Sequence, residues 1–102
     1  MIIVTGAVRF GDGEIERLRG DLARNIEATR QEPGCDHYAY GVDLEDPNLL
    51  HVSERWQGEA AMDSHMTTPH MAALMGVLGG ARIEGMSIKA YRADYLKTVL
   101  GE

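Results

Sequence analysis

One cysteine, one tryptophan, one phenylalanine and three prolines are all that this chain of 102 residues has of those types. The lone cysteine, Cys35, excludes an internal disulfide. Ten basic residues, scattered singly against sixteen acidic ones, give a formal net charge of −6 and leave no basic patch or arm for nucleic acid. The start MIIVTGAVRF lacks the basic region and long apolar run of a signal peptide, and no stretch approaches the roughly 20 apolar residues of a membrane span. These absences predict a cytoplasmic protein whose partners include neither nucleic acid nor membrane. The length predicts one domain over residues 1–102, with roughly a third of its unfolded surface still exposed after folding. A second protomer would then help to close a dry cavity.

What is present is periodic. Met1 to Phe10 alternates, with Ile2, Val4, Gly6, Val8 and Phe10 on one side and Ile3, Thr5, Ala7 and Arg9 on the other, which predicts a central strand. Gly11-Asp12-Gly13 is a turn, with Asp12 as the expected helix cap and Glu14 and Glu16 in the first turn, where the dipole favours them. Ile15, Leu18, Leu22, Ile26 and Thr29 recur at helical spacing, and the helix should end before Pro33-Gly34. Cys35 to Leu44 alternates again, placing Tyr38, Tyr40, Val42 and Leu44 on one face, and Glu45-Asp46-Pro47-Asn48 turns it into the strand Leu49 to Trp56.

The stretch from Glu54 to Met71 holds the tryptophan and two of the four histidines. Glu54 and Trp56 share a strand face with Leu50 and Val52. A helix should follow Gly58 and stop near Thr67; Thr68 caps the next, with Pro69 as its first residue. That places His65 at a helix C-terminus and His70 at an N-terminus, where the dipole favours the neutral, basic imidazole. On one continuous helix the two rings would point about 140° apart; a break at Thr67-Thr68 could aim both at one place. Met71, Leu74, Met75 and Leu78 form an apolar face that Gly79-Gly80 ends, and Ile83 to Tyr91 is a fourth strand with Ile83 opposite Met86, Ile88 and Ala90. The tail from residue 91 to 102 carries Tyr95, Leu96, Val99 and Leu100, and is expected to pack, on another protomer if not on its own.

The order βαββαβ predicts an α+β, ferredoxin-like fold: an antiparallel four-stranded sheet with helices on one face. Ile3, Ala7, Ala39, Leu49 and Ile83 on the uncovered face predict sheet-to-sheet pairing into a homodimer.

The run EPGC followed by Tyr38, then Asp43 and Pro47, Glu54-x-Trp56, His65 and Thr68-Pro69-His70-Met71 resembles the antibiotic biosynthesis monooxygenase superfamily, and within it the small quinol monooxygenases. The resemblance implies a dimeric α+β barrel with a pocket between sheet and helices. It also implies oxidation of a small aromatic substrate, a quinol or polycyclic phenol, by molecular oxygen with no metal, haem or flavin. Trp56, His65 and His70 would be the pocket residues. The sequence departs from the pattern twice: Val52 stands where anthrone oxygenases carry asparagine, and Met75 where haem-degrading relatives place an axial histidine. An isomerase of a phosphorylated sugar shares the Thr-Pro-His run.

Oxygen in its triplet state takes an electron from a phenolate far more readily than from a phenol, so the site must make and hold an anion. The expected roles are His70 as base, His65 with Tyr38 or Tyr40 as donors to the oxyanion, and Trp56 as a flat wall. Glu54, Met62, Met66 and Met71 would line the substrate pocket. Plainer readings compete: Trp56, the tyrosines and the methionines as core, the histidines bonded to backbone, Glu54 as a cap or arginine partner, Cys35 as a small buried residue. The alternatives from other classes are an isomerase, which needs a cationic cluster drawn from Arg9, Arg55, Arg82, Lys89 and Arg92, and a non-catalytic small-ligand-binding dimer.

Overall fold

A computed structural model describes residues 1–102. Its elements are β1 (Ile2–Phe10), α1 (Glu14–Thr29), β2 (Cys35–Val42), β3 (Leu49–Trp56), α2 (Glu59–His65), α3 (Pro69–Gly79) and β4 (Ile83–Arg92). The strands form one antiparallel sheet in the order β2-β3-β1-β4, with the helices on one face. This is the ferredoxin-like α+β arrangement that the alternating patterns predict. No helix is long and apolar enough to cross a membrane.

The helix-covered face follows the parity of the sequence. Ile2, Val4, Val8 and Phe10 of β1 meet Leu50, Val52, Glu54 and Trp56 of β3, and all eight are buried. Against this layer α1 sets Ile15, Leu18 and Leu22 and α3 sets Met71 and Leu74. A smaller cluster of Ile2, Val4, Tyr38 and Trp56 fills the other end, where Trp56 is completely buried. The opposite face is more polar than expected: Thr5, Arg9, His51, Ser53, Arg55 and Lys89 are exposed, and Ile3, Ala7, Ala39 and Leu49 are half-buried among them.

Several local expectations are corrected by tertiary contacts. Asp12 does not cap α1; the cap position is Gly13, in a left-handed conformation with φ 78°, and the Asp12 carboxylate accepts from the Asn48 side chain instead. The helix start is held by Glu14, which is buried, receives two hydrogen bonds from Arg17 and one from the Arg82 backbone N–H at 2.9 Å, and has its carboxyl lowered to about 2 by these donors. β2 stops at Val42 because Asp43 begins the turn, accepting from the Glu45 N–H and bonding His51, so Leu44 is fully exposed rather than facing the core. Ile83 is not on the open face: the register shifts between Arg9 and Phe10, which pairs Ile83 with Phe10 and turns it into the core. The tail from Tyr95 to Leu100 is exposed along its apolar residues in the single chain.

β4 lies so close to β1 that only glycine fits between them. A Cβ on Gly6 would sit 2.1 Å from the Ser87 carbonyl oxygen and 2.5 Å from the Ile88 Cα, both backbone atoms that cannot rotate away. Since β4 has β1 as its only neighbour in the sheet, Gly6→Ala is expected to push the edge strand off and to destabilise by roughly 1–3 kcal/mol or more. Urea unfolding measures this directly, and an unchanged midpoint would show that the two strands can separate at no cost.

Candidate active site

The turn after α1 sets the geometry. Gly34 has φ 82°, and a Cβ there would lie 2.7 Å from Ala61 of α2, so the glycine both makes the turn and admits the second helix. The Gln57 N–H donates to the Gly34 carbonyl at 2.8 Å, stitching the end of β3 to this turn. Glu32, just before it, is thereby aimed at the break between α2 and α3.

That break forms as the sequence predicts. The Thr68 hydroxyl accepts from the Met71 N–H and donates to the His65 carbonyl at 2.8 Å, and Pro69 opens α3. The rings of His65 and His70 converge, with centroids 6.0 Å apart. Both bond one oxygen, Oε2 of Glu32: His65 through Nδ1 and His70 through Nε2, each at 2.7 Å. His65 is fully buried, its ring tilted against Trp56 at 4.8 Å and meeting the edge of Tyr38 at 5.3 Å.

In front of this cluster lies a cavity of about 390 Å³ between the sheet and α2/α3. Tyr38, Tyr40, Glu54, Met62, Met66 and Met71 all lie on its wall. Glu54 is the only carboxylate on its wall. The Trp56 indole N–H donates to Glu54 Oε1 at 2.9 Å, and burial pushes the Glu54 carboxyl above its ordinary range, opposed by that hydrogen bond and by His65. The expected cap or arginine partner for Glu54 is therefore the tryptophan.

Beside Glu54, the Tyr38 and Tyr40 hydroxyls are 2.6 Å apart, and Asn25 Nδ2 donates to both, at 3.1 and 2.8 Å. Asn25 spends both amide hydrogens, one phenolic hydrogen lies between the tyrosines, and the second phenolic hydrogen has no protein acceptor. It is free to be donated to a ligand oxygen. Burial raises both phenols above their ordinary pKa, so they remain donors.

The three residues expected to do the chemistry, Trp56, His65 and His70, are brought together but are not on the cavity wall. Trp56 and His65 lie behind Glu54 and Tyr38. His70 opens instead onto a separate groove of about 510 Å³ between α1 and α3, walled by polar residues such as Asp21, Arg24, Glu27 and Gln31. Two contributors went unassigned in the sequence. Glu32 stands in the quoted EPGC run, and Asn25 occupies the buried stripe of α1, three residues after Leu22 and four before Thr29, where a polar side chain needs a partner. Cys35 is half-buried, and burial with nearby Glu32 pushes its thiol up, away from a nucleophilic thiolate.

A sequence model described as antibiotic biosynthesis monooxygenase matches residues 1–76. The probable quinol monooxygenase YgiN of Escherichia coli is 27% identical over 94 residues, covering 82% of this chain and 90% of that protein. An uncharacterized protein of Synechocystis is 26% identical over 98 residues, covering 96% of this chain and 67% of its own length. Among solved structures, a candidate antibiotic biosynthesis monooxygenase from Deinococcus radiodurans has a TM-score of 0.90 at 29% identity and covers 99% of this chain and 100% of that one.

The raised Glu54 carboxyl carries a stability consequence. A group whose folded pKa is raised holds its proton longer in the folded state, so its contribution is full below the ordinary carboxylate value of about 4.3 and is lost as pH rises through the folded value. Glu54→Gln keeps a carbonyl for the Trp56 N–H and removes the ionisation. Its melting temperature should match the parent near about pH 4 and exceed it increasingly toward neutrality. A difference that stays constant across that range would show that Glu54 is not the titrating group.

Proposed function

This chain belongs to the antibiotic biosynthesis monooxygenase family, and from that premise we propose that it oxidises a quinol or polycyclic phenol with molecular oxygen, without metal, haem or flavin in the reaction. The observation that carries this reading is an apolar cavity with one buried carboxylate beside a tyrosine pair that has a proton to give. Its volume of about 390 Å³ lies within the range of small-molecule pockets.

In this mechanism the substrate hydroxyl enters against Glu54, whose carboxylate takes its proton. A base raised by burial is better matched to a phenol than an exposed carboxylate would be. Tyr40 donates its free hydrogen to the phenolate oxygen, a preorganised contact worth roughly 3–4 kcal/mol in a dry site. Asn25 keeps that donor aimed outward, because both of its own hydrogens already engage the phenol oxygens. The phenolate passes one electron to oxygen, and the radical pair recombines at a ring carbon as a hydroperoxide that loses water. For a hydroquinone the products are a hydroxyquinone and one water: oxygen gains four electrons, two from the new carbon–oxygen bond and two from the quinol. The base role thus moves from His70 to Glu54, with His65 and Trp56 as positioning residues that hold the carboxylate.

The isomerase alternative needs a cation at the pocket. Arg9 pairs with Asp46, Arg92 with Glu59, and Arg82 donates to the Asp12 carbonyl; none of these, nor Arg55 or Lys89, lines the cavity. A homodimer is part of the proposal: Met86 at the cavity wall and Leu96 and Leu100 in the tail are exposed in the single chain, and a second copy would cover them.

Oxygen uptake by the purified protein with a panel of hydroquinones and polycyclic phenols tests the reading. Uptake should exceed autoxidation, fall by about 10²–10⁴ in Glu54→Gln, and fall by about 10²–10³ in Tyr40→Phe. Asn25→Asp, which replaces a donor by an acceptor, should lose rate as Tyr40→Phe does. If His70→Ala alone abolished turnover while Glu54→Gln left it intact, the base would be His70 and this assignment would fail.

A further inference from the structure

The cluster of Glu32, His65 and His70 is not explained by the apolar cavity, because two of its members face away from it and the third is buried behind its wall. We propose that these three residues form a binding site for one divalent transition-metal ion of the zinc type, outside the catalytic cavity. The proposal goes beyond the monooxygenase reading and stands without it.

The donor set selects the ion. Two imidazoles and one carboxylate suit zinc and the neighbouring first-row ions, whereas magnesium and calcium prefer sites built of oxygen. One candidate ligand atom from each residue, a ring nitrogen of His65 and of His70 and a carboxylate oxygen of Glu32, lies within 4.8 Å of the others; His65 Nδ1 and His70 Nε2 are the nitrogens that face Glu32 Oε2. Zinc bonds of about 2.0–2.2 Å place the ligands of one ion roughly 3–3.5 Å apart. The Glu32 oxygen, 2.7 Å from each ring nitrogen, must back away slightly, and the rings must approach by about an ångström. His70 can supply that movement, since its side chain is 23% exposed at the start of α3, whereas that of His65 is 2% exposed and its ring is held by Trp56 and Tyr38.

Access and charge agree with this placement. His70 lines the groove between α1 and α3, and Glu32 lines a shallower concavity with Gln57 and Ser64, so an ion can arrive from solvent on that side. No lysine or arginine bonds Glu32, which leaves the site one negative charge when both imidazoles are neutral. The three ligands come from the α1–β2 turn and from both sides of the α2–α3 break. A bound ion would therefore brace these segments behind the Trp56–Glu54 wall, with remaining coordination positions open to water.

The test uses the full chain, stripped with a chelator and titrated with zinc chloride by calorimetry. One equivalent should bind per chain, and affinity should fall by about 100-fold or more in His70→Ala and in Glu32→Gln, at least as much as losing a second-shell partner costs. His51→Ala, which removes the exposed His51–Asp43 pair, should change nothing. A second measurement needs no variant. Copper added at one equivalent should quench the single tryptophan, whose ring is 4.8 Å from His65, whereas an ion at His51 would lie roughly 16 Å along the strand and leave it bright. Absence of stoichiometric binding, or equal affinity in the parent and both ligand variants, or an unquenched tryptophan with copper bound, would overturn the site and leave Glu32 as a hydrogen-bonded brace alone.

Discussion

One carboxylate oxygen, Oε2 of Glu32, joins the α1–β2 turn to both sides of the α2–α3 break. It engages His65 across 33 residues and His70 across 38, each at 2.7 Å. The break between α2 and α3 is what makes both rings available to it, and the Gly34 turn is what brings it there. With His65 fixed in this way, its ring supports Trp56 from behind, and Trp56 in turn holds Glu54 by its indole N–H. The order of support runs from the surface groove inward to the cavity.

The cavity itself is a balance between desolvation and a few placed donors. A carboxyl in apolar surroundings resists ionisation, and here that tendency is opposed but not cancelled by Trp56 and His65. Nearby, one amide and two phenols form a network with one hydrogen left over. Such an imbalance is unfavourable in an empty site and favourable once an anionic oxygen takes the hydrogen. Asn25 Oδ1, buried in the same network, is an acceptor without a partner.

Where tertiary contacts competed with local rules, the contacts won. Asp12 is a good cap by type, but Asn48 from the β2–β3 turn takes its carboxylate, and Glu14 secures the helix through Arg82 near β4. Ile83 has the wrong parity for the core, and a bulge opposite Arg9 and Phe10 corrects it. Leu44 keeps the strand pattern but lies past the point where Asp43 turns the chain. Of the candidate site, the six cavity-lining residues were legible because they share strand or helix faces. Asn25 and Glu32 were not assigned, since a polar residue on an apolar stripe or before a Pro-Gly turn declares its need for a partner without naming one.

The amino-acid sequence by itself determined the elements, their order and the side of the sheet that the helices cover, since period 2 and period 3.6 are local properties of the chain. It also determined the Thr68-Pro69 restart and the Pro33-Gly34 turn, whose residues act on their immediate neighbours. Only the tertiary structure decided which polar groups meet: Glu54 with Trp56 at the cavity, His65 and His70 on Glu32, and His70 on the far groove rather than the cavity wall. The physical reason is range. A hydrogen bond acts over about 3 Å, and which donors come within that distance across 33 or 38 residues depends on the packing of whole elements, which no local period encodes.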